Sequence, residues 1–164
     1  PYNTKAEEIA GMKPDGIMLS NGPGDPAENV EVIHEIKKLM DSGIPMFGIC
    51  LGHQLTALAA GGRTEKMKYG HRGANQPAKR LADGRVFITS QNHGYCVVSD
   101  SLPENAEVSF VNANDNTCEG VKYRGIPVFT VQFHPEASAG PLDSGFLFDD
   151  FIKLMKEVGV NAVK

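Results

Sequence analysis

The sequence has no apolar run long enough to span a bilayer, and its opening stretch PYNTKAEEIAGMKPDG lacks the pattern of a secretory signal. Cysteine is scarce: Cys50, Cys96 and Cys118 are odd in number, widely spaced and without a CxxC pair. This usage argues against a disulfide framework and against a zinc site. We therefore expect a reducing, cytoplasmic compartment, no membrane association and no bound metal.

Blocks of lysine or arginine are also absent, and the formal net charge is −4 over 164 residues. A nucleic-acid groove usually needs a basic patch, so the charge pattern argues against a nucleic-acid partner. Hydrophobic residues make up 41% and charged residues 22%, which is ordinary for a globular protein. No repeat or linker divides the chain, so we expect one domain over residues 1–164.

Strand-like and helix-like segments alternate in the first part of the chain. Thr4 and Glu7 have the spacing of a capping box, which predicts a helix over residues 5–12. The apolar runs DGIMLS and IPMFGI predict buried strands, and AENVEVIHEIKKLMDSG and LGHQLTALAAGG predict helices that end at glycine. This order favours an α/β fold with an open, mostly parallel central sheet flanked by helices.

The middle of the chain has a different character. Short strand-like runs such as TEKMKYG, PAKRLADGRVFITS, GYCVVSD and AEVSFVNAND follow one another with turns between them. Asp83-Gly84 is a favourable hairpin turn. We expect a small additional antiparallel region here, followed by the strand IPVFTVQFHPE and a closing amphipathic helix in SGFLFDDFIKLMKEVG.

Cys50 lies between Gly48 and Gly52 in GICLG, after a predicted strand and before a predicted helix. A sharp strand-to-helix turn of this kind is typical of a nucleophile elbow, which projects the nucleophile above the sheet. The positive end of the helix dipole is expected to lower the thiol pKa, and the backbone N–H of Leu51 is free to bind an oxyanion. The pattern alone leaves open that Cys50 is a small buried apolar residue.

A nucleophilic cysteine needs a base, and VFTVQFHPEAS offers one. His134 and Glu136 are two residues apart at the end of an apolar run, so their side chains are expected on one side of the chain. An imidazole oriented by a carboxylate is the usual partner of such a nucleophile. The alternative is an exposed His–Glu pair at a turn.

The loop SNGPGDP follows the first predicted strand. It lacks the spacing of a phosphate-binding loop, but its backbone N–H groups are expected to face the thiol. Gly22 and Gly24 are therefore candidates for a second oxyanion donor. Among the other histidines, His71 and His93 lie in predicted loops and could line a cleft, whereas His53 is expected to pack locally.

These motifs together carry a resemblance that extends from Asp15 to the final helix. GICLGHQ with HPE resembles the class I glutamine amidotransferases that use a Cys-His-Glu triad. Four longer stretches, LSNGPGDP, KMKYGHRG, SQNHGY and HPEASAGPLD, are similar to the glutaminase domains of carbamoyl-phosphate synthetases. The resemblance implies a flavodoxin-like class I amidotransferase fold.

The resemblance also implies a role for each matching residue. Cys50 would be the nucleophile, His134 the general base and acid, and Glu136 the group that orients His134. The backbone amides of Gly22 and Leu51 would form the oxyanion hole. The residues expected to contact glutamine are Gln54, Asn92, Gly94 and Tyr95.

The implied activity is hydrolysis of glutamine to glutamate and ammonia through a cysteinyl thioester. The ammonia would pass to a large subunit that makes carbamoyl phosphate from bicarbonate and ATP, so ATP, Mg²⁺ and other cofactors are not expected in this domain. The small subunits that the chain resembles have a separate N-terminal domain, and their amidotransferase domain usually opens with a strand and a helix before PYNT; we therefore expect this chain to be a fragment that lacks these parts. Two alternatives stay open. The chain could be the amidotransferase domain of another synthetase or a γ-glutamyl hydrolase, or it could be a truncated, non-catalytic docking module.

Overall fold

A computed structural model of the chain describes residues 1–137 and 144–162. Residues 138–143, which include part of the quoted HPEASAGPLD motif, lie outside the described residues. The helices and strands are, in chain order, α1 (Ala6–Gly11), β1 (Ile17–Leu19), α2 (Val30–Asp41), β2 (Met46–Ile49), α3 (Leu51–Ala59), β3 (Thr64–Arg80), β4 (Val86–Val97), β5 (Ala106–Asn112), β6 (Cys118–Tyr123), β7 (Val128–Val131) and α4 (Phe146–Ala162).

The strands form one seven-stranded sheet in the order β1-β2-β7-β6-β4-β3-β5. The pairs β1–β2 and β2–β7 are parallel, and the other pairs are antiparallel. The prediction of an open, mostly parallel sheet is therefore wrong. Parallel neighbours need a long crossover, usually a helix, and no α-helix lies between successive strands from β3 to β7.

The antiparallel strands curl into a small barrel, because β6 pairs with β5 as well as with β4. The predicted Asp83-Gly84 turn joins β3 to β4, and Gly84 has the positive φ of 72° that such a turn requires. β3 is longer than predicted and unites the runs TEKMKYG and PAKR. Its pairing with β4 changes register twice, between Lys66 and His71 and between Gly73 and Gln76.

The start of α1 differs from the prediction. The Thr4 hydroxyl donates to the carbonyl oxygen of Pro1, and the N-cap residue, Lys5, makes no side-chain hydrogen bond to the helix. The Ala6 N–H instead donates to a carboxylate oxygen of Glu35 on α2, at 2.8 Å. The predicted capping box is therefore wrong, because a tertiary contact satisfies this free helical donor.

Two apolar clusters hold the sheet between its helices. One lies between the sheet and helices α1 to α3, and the other lies between the sheet and α4. Successive residues of β2 point to opposite faces of the sheet, so Met46 belongs to the first cluster and Phe47 to the second. Phe47 stacks on Phe129, with ring centroids 4.5 Å apart. Cys50 belongs to the second cluster, so the end of β2 is anchored on the α4 side. None of the helices in the described ranges has the length and apolarity to cross a membrane.

Candidate active site

Cys50 occupies the joint between β2 and α3, in a backbone conformation of φ 53° and ψ −105°. An L residue rarely adopts this conformation, and it persists only where the surroundings enforce it. The Cys50 N–H donates to the carbonyl oxygen of Val131 on β7, at 2.9 Å. The Cys50 carbonyl oxygen accepts from the N–H of Gln54, at 3.2 Å. The elbow predicted from GICLG is thus present and fixed from both sides.

The two glycines of this motif permit close approach of the backbone. A Cβ atom on Gly52 would lie 2.3 Å from the carbonyl oxygen of Leu19 on β1. A Cβ atom on Gly48 would lie 2.9 Å from backbone atoms of Gly52. Any larger residue at either position would push α3 away from the sheet and displace Cys50.

We expect Gly52→Ala to lower the free energy of unfolding by about 3 kcal/mol, because the new methyl group meets fixed backbone atoms. Urea unfolding measures this change. Gly159→Ala is the control, because Gly159 is an exposed residue of α4 with no atom near the added methyl group. It should raise stability by about 0.5–1 kcal/mol. An equal response of the two variants would contradict the packing argument.

His134 and Glu136 follow β7, and their side chains are hydrogen-bonded. The distance from His134 Nδ1 to Glu136 Oε1 is 2.8 Å. The imidazole is 13% exposed and the carboxylate 45% exposed, so the pair reaches from the interior to solvent. The His134 N–H donates to the carbonyl oxygen of Ser90 on β4, at 2.9 Å, which ties the histidine to the barrel. The bond to Glu136 leaves Nε2 free to exchange protons.

A cavity of about 590 Å³ lies over the elbow. Its lining residues come from the Gly-rich loop, the elbow, the barrel and the segment after β7: Asn21, Gly22, Pro23, Cys50, Gly73, Ala74, Ser90, Gln91, Asn92, His134 and Ala137. Four of the predicted site residues, Cys50, His134, Gly22 and Asn92, therefore share one cavity. No hydrogen bond joins Cys50 to His134 among the described residues, and such pairs often tighten only when substrate binds.

The two predicted oxyanion donors lie next to each other. The Leu51 backbone N–H is close enough to the Cys50 sulfur to favour its thiolate and lower the pKa of the thiol. A Cβ atom on Gly22 would lie 2.7 Å from a methyl carbon of Leu51, so the Gly-rich loop lies directly against the start of α3. An oxyanion hole requires donors on the side of the cavity that holds the thiol, and Gly22 lines the same cavity as Cys50.

The other predicted glutamine contacts lie elsewhere. The Gln54 side chain donates to the carbonyl oxygen of Tyr95 and to the side-chain oxygen of Gln132, at 2.9 Å each; it is buried and is not among the residues that line the cavity. Gly94 and Tyr95 line a neighbouring cavity of about 400 Å³. Gly24, the alternative oxyanion donor, lines that second cavity as well.

The thiol pKa differs in direction from the prediction. Burial raises the pKa of Cys50 to about 11, although the Leu51 N–H opposes the rise. The carboxylates of Glu136 and Glu119 disfavour a second negative charge and raise the pKa further. The expectation of a lowered pKa is therefore wrong, because desolvation exceeds the effect of the helix N-terminus. The Cys50 side chain is therefore a neutral thiol at rest.

This resting state predicts slow alkylation of Cys50 by iodoacetamide at pH 7, with a rate that keeps rising above pH 9, because only the thiolate reacts. Peptide mass spectrometry separates Cys50 from Cys96 and Cys118, whose pKa values burial raises to about 11 and about 12. The latter two serve as internal controls for buried thiols. A Cys50 rate that reaches a plateau below pH 8 would show a resting thiolate and contradict this account.

Sequence reasoning missed Gln132, whose side chain is fully buried and whose side-chain oxygen accepts a hydrogen bond from Gln54 Nε2 at 2.9 Å. Gln132 is two residues before His134, so their side chains are expected on the same side of the extended chain. This spacing could have identified Gln132 as a residue near the site. Ser90 contributes its backbone carbonyl, which no sequence pattern reveals. Of the two histidines expected to line a cleft, His71 and His93, both are buried and hydrogen-bonded within the barrel.

A buried thiol at a nucleophile elbow, a carboxylate-oriented imidazole and adjacent backbone amides can together carry out acyl transfer. The family described as Glutamine amidotransferase class-I matches residues 1–154 of the chain. The chain therefore belongs to the class I glutamine amidotransferases.

Similar proteins within this family are small chains of carbamoyl phosphate synthase. The small chain of Methanocaldococcus jannaschii is 58% identical over 154 residues, covering 94% of this chain and 43% of that protein. The pyrimidine-specific small chain of Bacillus subtilis is 58% identical over 156 residues, covering 95% of this chain and 42% of that protein. This chain thus spans less than half the length of the curated relatives it matches.

A solved structure supports the fold. A Thermoplasma acidophilum protein, assigned as part of a GMP synthase, superposes with a TM-score of 0.84, covering 100% of this chain and 83% of that one. The two sequences are 22% identical, so the similarity establishes a shared α/β fold and nothing about substrate.

Proposed function

We propose that this chain is the glutaminase domain of a carbamoyl-phosphate synthetase small subunit. It hydrolyses glutamine to glutamate and ammonia, and the ammonia serves carbamoyl-phosphate synthesis from bicarbonate and ATP on a large subunit. The single observation that carries the proposal is the shared cavity of Cys50 and His134 at an elbow, within a sequence 58% identical to such small chains. We also propose a cytoplasmic location, since the cysteines are unpaired.

The proposed reaction begins when glutamine places its side-chain carbonyl over Cys50. His134 takes the thiol proton as the sulfur attacks, which removes the need for a resting thiolate. The amides of Leu51 and Gly22 stabilise the oxyanion of the tetrahedral intermediate. His134 then protonates the departing ammonia, and a thioester remains on Cys50.

Hydrolysis of the thioester completes the proposed cycle. His134 takes a proton from water, the resulting hydroxide attacks the thioester carbonyl, and glutamate leaves as the Cys50 sulfur recovers its proton. Glu136 holds the imidazole in the orientation that both steps need and stabilises its charged form. Asn92 is the proposed glutamine contact that already lines the cavity. Gln54, Gly94 and Tyr95 are proposed to contribute indirectly, through the contacts that shape the wall beside it.

Release of glutamate from glutamine, measured with and without a carbamoyl-phosphate synthetase large subunit, tests the proposal. We expect release that increases when the large subunit is added. Release that does not respond to this subunit would favour an amidotransferase of another synthetase. A folded chain with no release in either condition would favour the docking module and would contradict the proposed activity.

A further inference from the structure

A network of buried polar side chains lies in the barrel, behind the cavity. Its centre is Glu119 on β6, which is fully buried. The carboxylate accepts from Gln91 Nε2 at 2.9 Å and from Asn112 Nδ2 at 3.2 Å, and His71 Nδ1 lies 3.2 Å from it. Three donors from β3, β4 and β5 thus converge on one buried carboxylate.

The hydrogen bonds of His71 determine its charge. Nδ1 lies near the carboxylate of Glu119 and 3.1 Å from Gln91 Oε1, and Nε2 lies 2.8 Å from Asp115 Oδ2. Both ring nitrogens therefore face oxygen acceptors, which favours a doubly protonated ring. The hydrogen bond to Glu119 is the largest cause that raises the pKa of His71 to about 9. Burial raises the pKa of Glu119, but His71, Asn112 and Gln91 oppose that rise.

The polar atoms of this network are already satisfied. Ligand atoms of His71, His93 and Glu119 lie within 4.8 Å of one another, which is close enough for a metal site. Gln91 and Asn112, however, each donate to Glu119, and His71 supplies the opposite charge, so the carboxylate has its partners without an ion. We interpret the group as an ion pair supported by amides.

The network contacts a part of the cavity wall where the pairing of β3 with β4 is irregular. We call residues 90–92 of β4 the β4 wall; Ser90, Gln91 and Asn92 all line the cavity. The wall lies against β3 in the short paired stretch between the two register changes, where Arg72 pairs with Asn92. Register changes interrupt ladder hydrogen bonds, so side-chain contacts have a larger share in fixing this stretch.

The network reaches this wall through one side chain. The Gln91 amide accepts from His71, donates to Glu119 and also donates to the hydroxyl of Thr89. On one side of Gln91, the Ser90 carbonyl accepts from the His134 N–H, and on the other side Asn92 faces the cavity. Fixing Gln91 therefore fixes both the support of His134 and the position of Asn92.

We propose that Glu119 and His71 are positioning residues: their buried ion pair holds the β4 wall in register for glutamine binding, without contact to the substrate. This inference rests on the proposed function for its kinetic consequence. Removing the carboxylate charge frees Gln91 and loosens the wall, so glutamine binding weakens more than the chemical step.

The test is the kinetics of glutamine hydrolysis by the full chain and its Glu119→Gln variant. We expect the KM for glutamine to rise about 10-fold and kcat to change less than about 3-fold, because one charged hydrogen-bond network is lost outside the reacting atoms. Val121→Ala, a buried change on the same strand, is the control for general destabilisation. An equal rise in KM for Val121→Ala, or an unchanged KM for Glu119→Gln, would overturn the proposal.

Coupling of the two residues gives a second measure. If they act as one pair, the KM of the double variant His71→Gln/Glu119→Gln should resemble that of the worse single variant, since effects within one network are not additive. Multiplied effects would show independent roles and would overturn the pairing.

A third readout does not depend on glutaminase activity. Hydrogen exchange of the His134 amide, followed by nuclear magnetic resonance, reports whether the β4 wall holds this segment. We expect faster exchange in Glu119→Gln than in Val121→Ala. If the wild type hydrolyses no glutamine, the proposed function fails, but faster His134 exchange would still support the positioning role and unchanged exchange would overturn it.

Discussion

Replacement of Cys50 by alanine is expected to abolish glutamate release, with kcat lowered on the order of 10⁴- to 10⁶-fold. The reason is that the proposed reaction passes through a covalent bond to this sulfur, and no other thiol lines the cavity among the described residues. The measurement is a coupled assay for glutamate at saturating glutamine. Circular dichroism of the variant shows whether the fold is retained. We expect it to be retained, because residue 50 lies in an apolar cluster that accepts alanine.

Cys96→Ala is the matched control for this change. Cys96 is also a free, buried thiol, but it lies on β4 and outside the cavity. It should retain kcat and lose only some stability. Retained release by Cys50→Ala, or an equal loss by the two variants, would exclude Cys50 as the nucleophile.

Replacement of His134 by asparagine is expected to lower kcat by about 10⁴-fold, because one imidazole serves both proton transfers. Asparagine keeps the size and some hydrogen bonding of the ring, so the backbone bond from residue 134 to Ser90 should persist. The variant should still bind glutamine, and steady-state kinetics should place the loss mainly in kcat.

His34→Asn is the control for this second change. His34 is a residue of α2 that lies outside the cavity, and its replacement should leave kcat unchanged. A loss of less than about 10-fold in His134→Asn would be smaller than general acid–base catalysis supplies. That result would assign the proton transfers to another group.

The elbow and the His–Glu pair could be predicted because their geometry is local. Gly48, Cys50 and Gly52 lie within five residues, so the requirement for a tight turn is visible in the sequence itself. His134 and Glu136 are likewise two residues apart, and their hydrogen bond follows from that spacing. The helices α2 and α3 were also predictable, from periodicity and from the glycines that follow them.

Strand direction could not be predicted in the same way. The apolar run shows that β7 is buried. Its parallel pairing with β2 arises because the chain first forms the four antiparallel strands β3 to β6 and then comes back to lie beside β2. Nothing within the run IPVFTV specifies that return. The sequence predicted the antiparallel region as a minor addition, whereas it forms a closed barrel and supplies the β4 wall of the cavity.

The thiol pKa and the buried network depend on tertiary structure even more. The helix N-terminus at Cys50 is visible in the sequence, but the burial and the carboxylate of Glu119 that outweigh it are not. Glu119 and His71 are 48 positions apart and meet only when the barrel closes. Charge alone would have placed Glu119 on the surface.

Trapping of the proposed thioester would show directly whether Cys50 forms a covalent bond to glutamine. The full chain is mixed with glutamine, quenched in acid and digested, and the peptides are analysed by mass spectrometry. We expect a glutamyl group on the peptide that contains Cys50, removable by hydroxylamine and absent from Cys50→Ala. Glutamate release with no adduct on Cys50, or with the adduct on another residue, would contradict it.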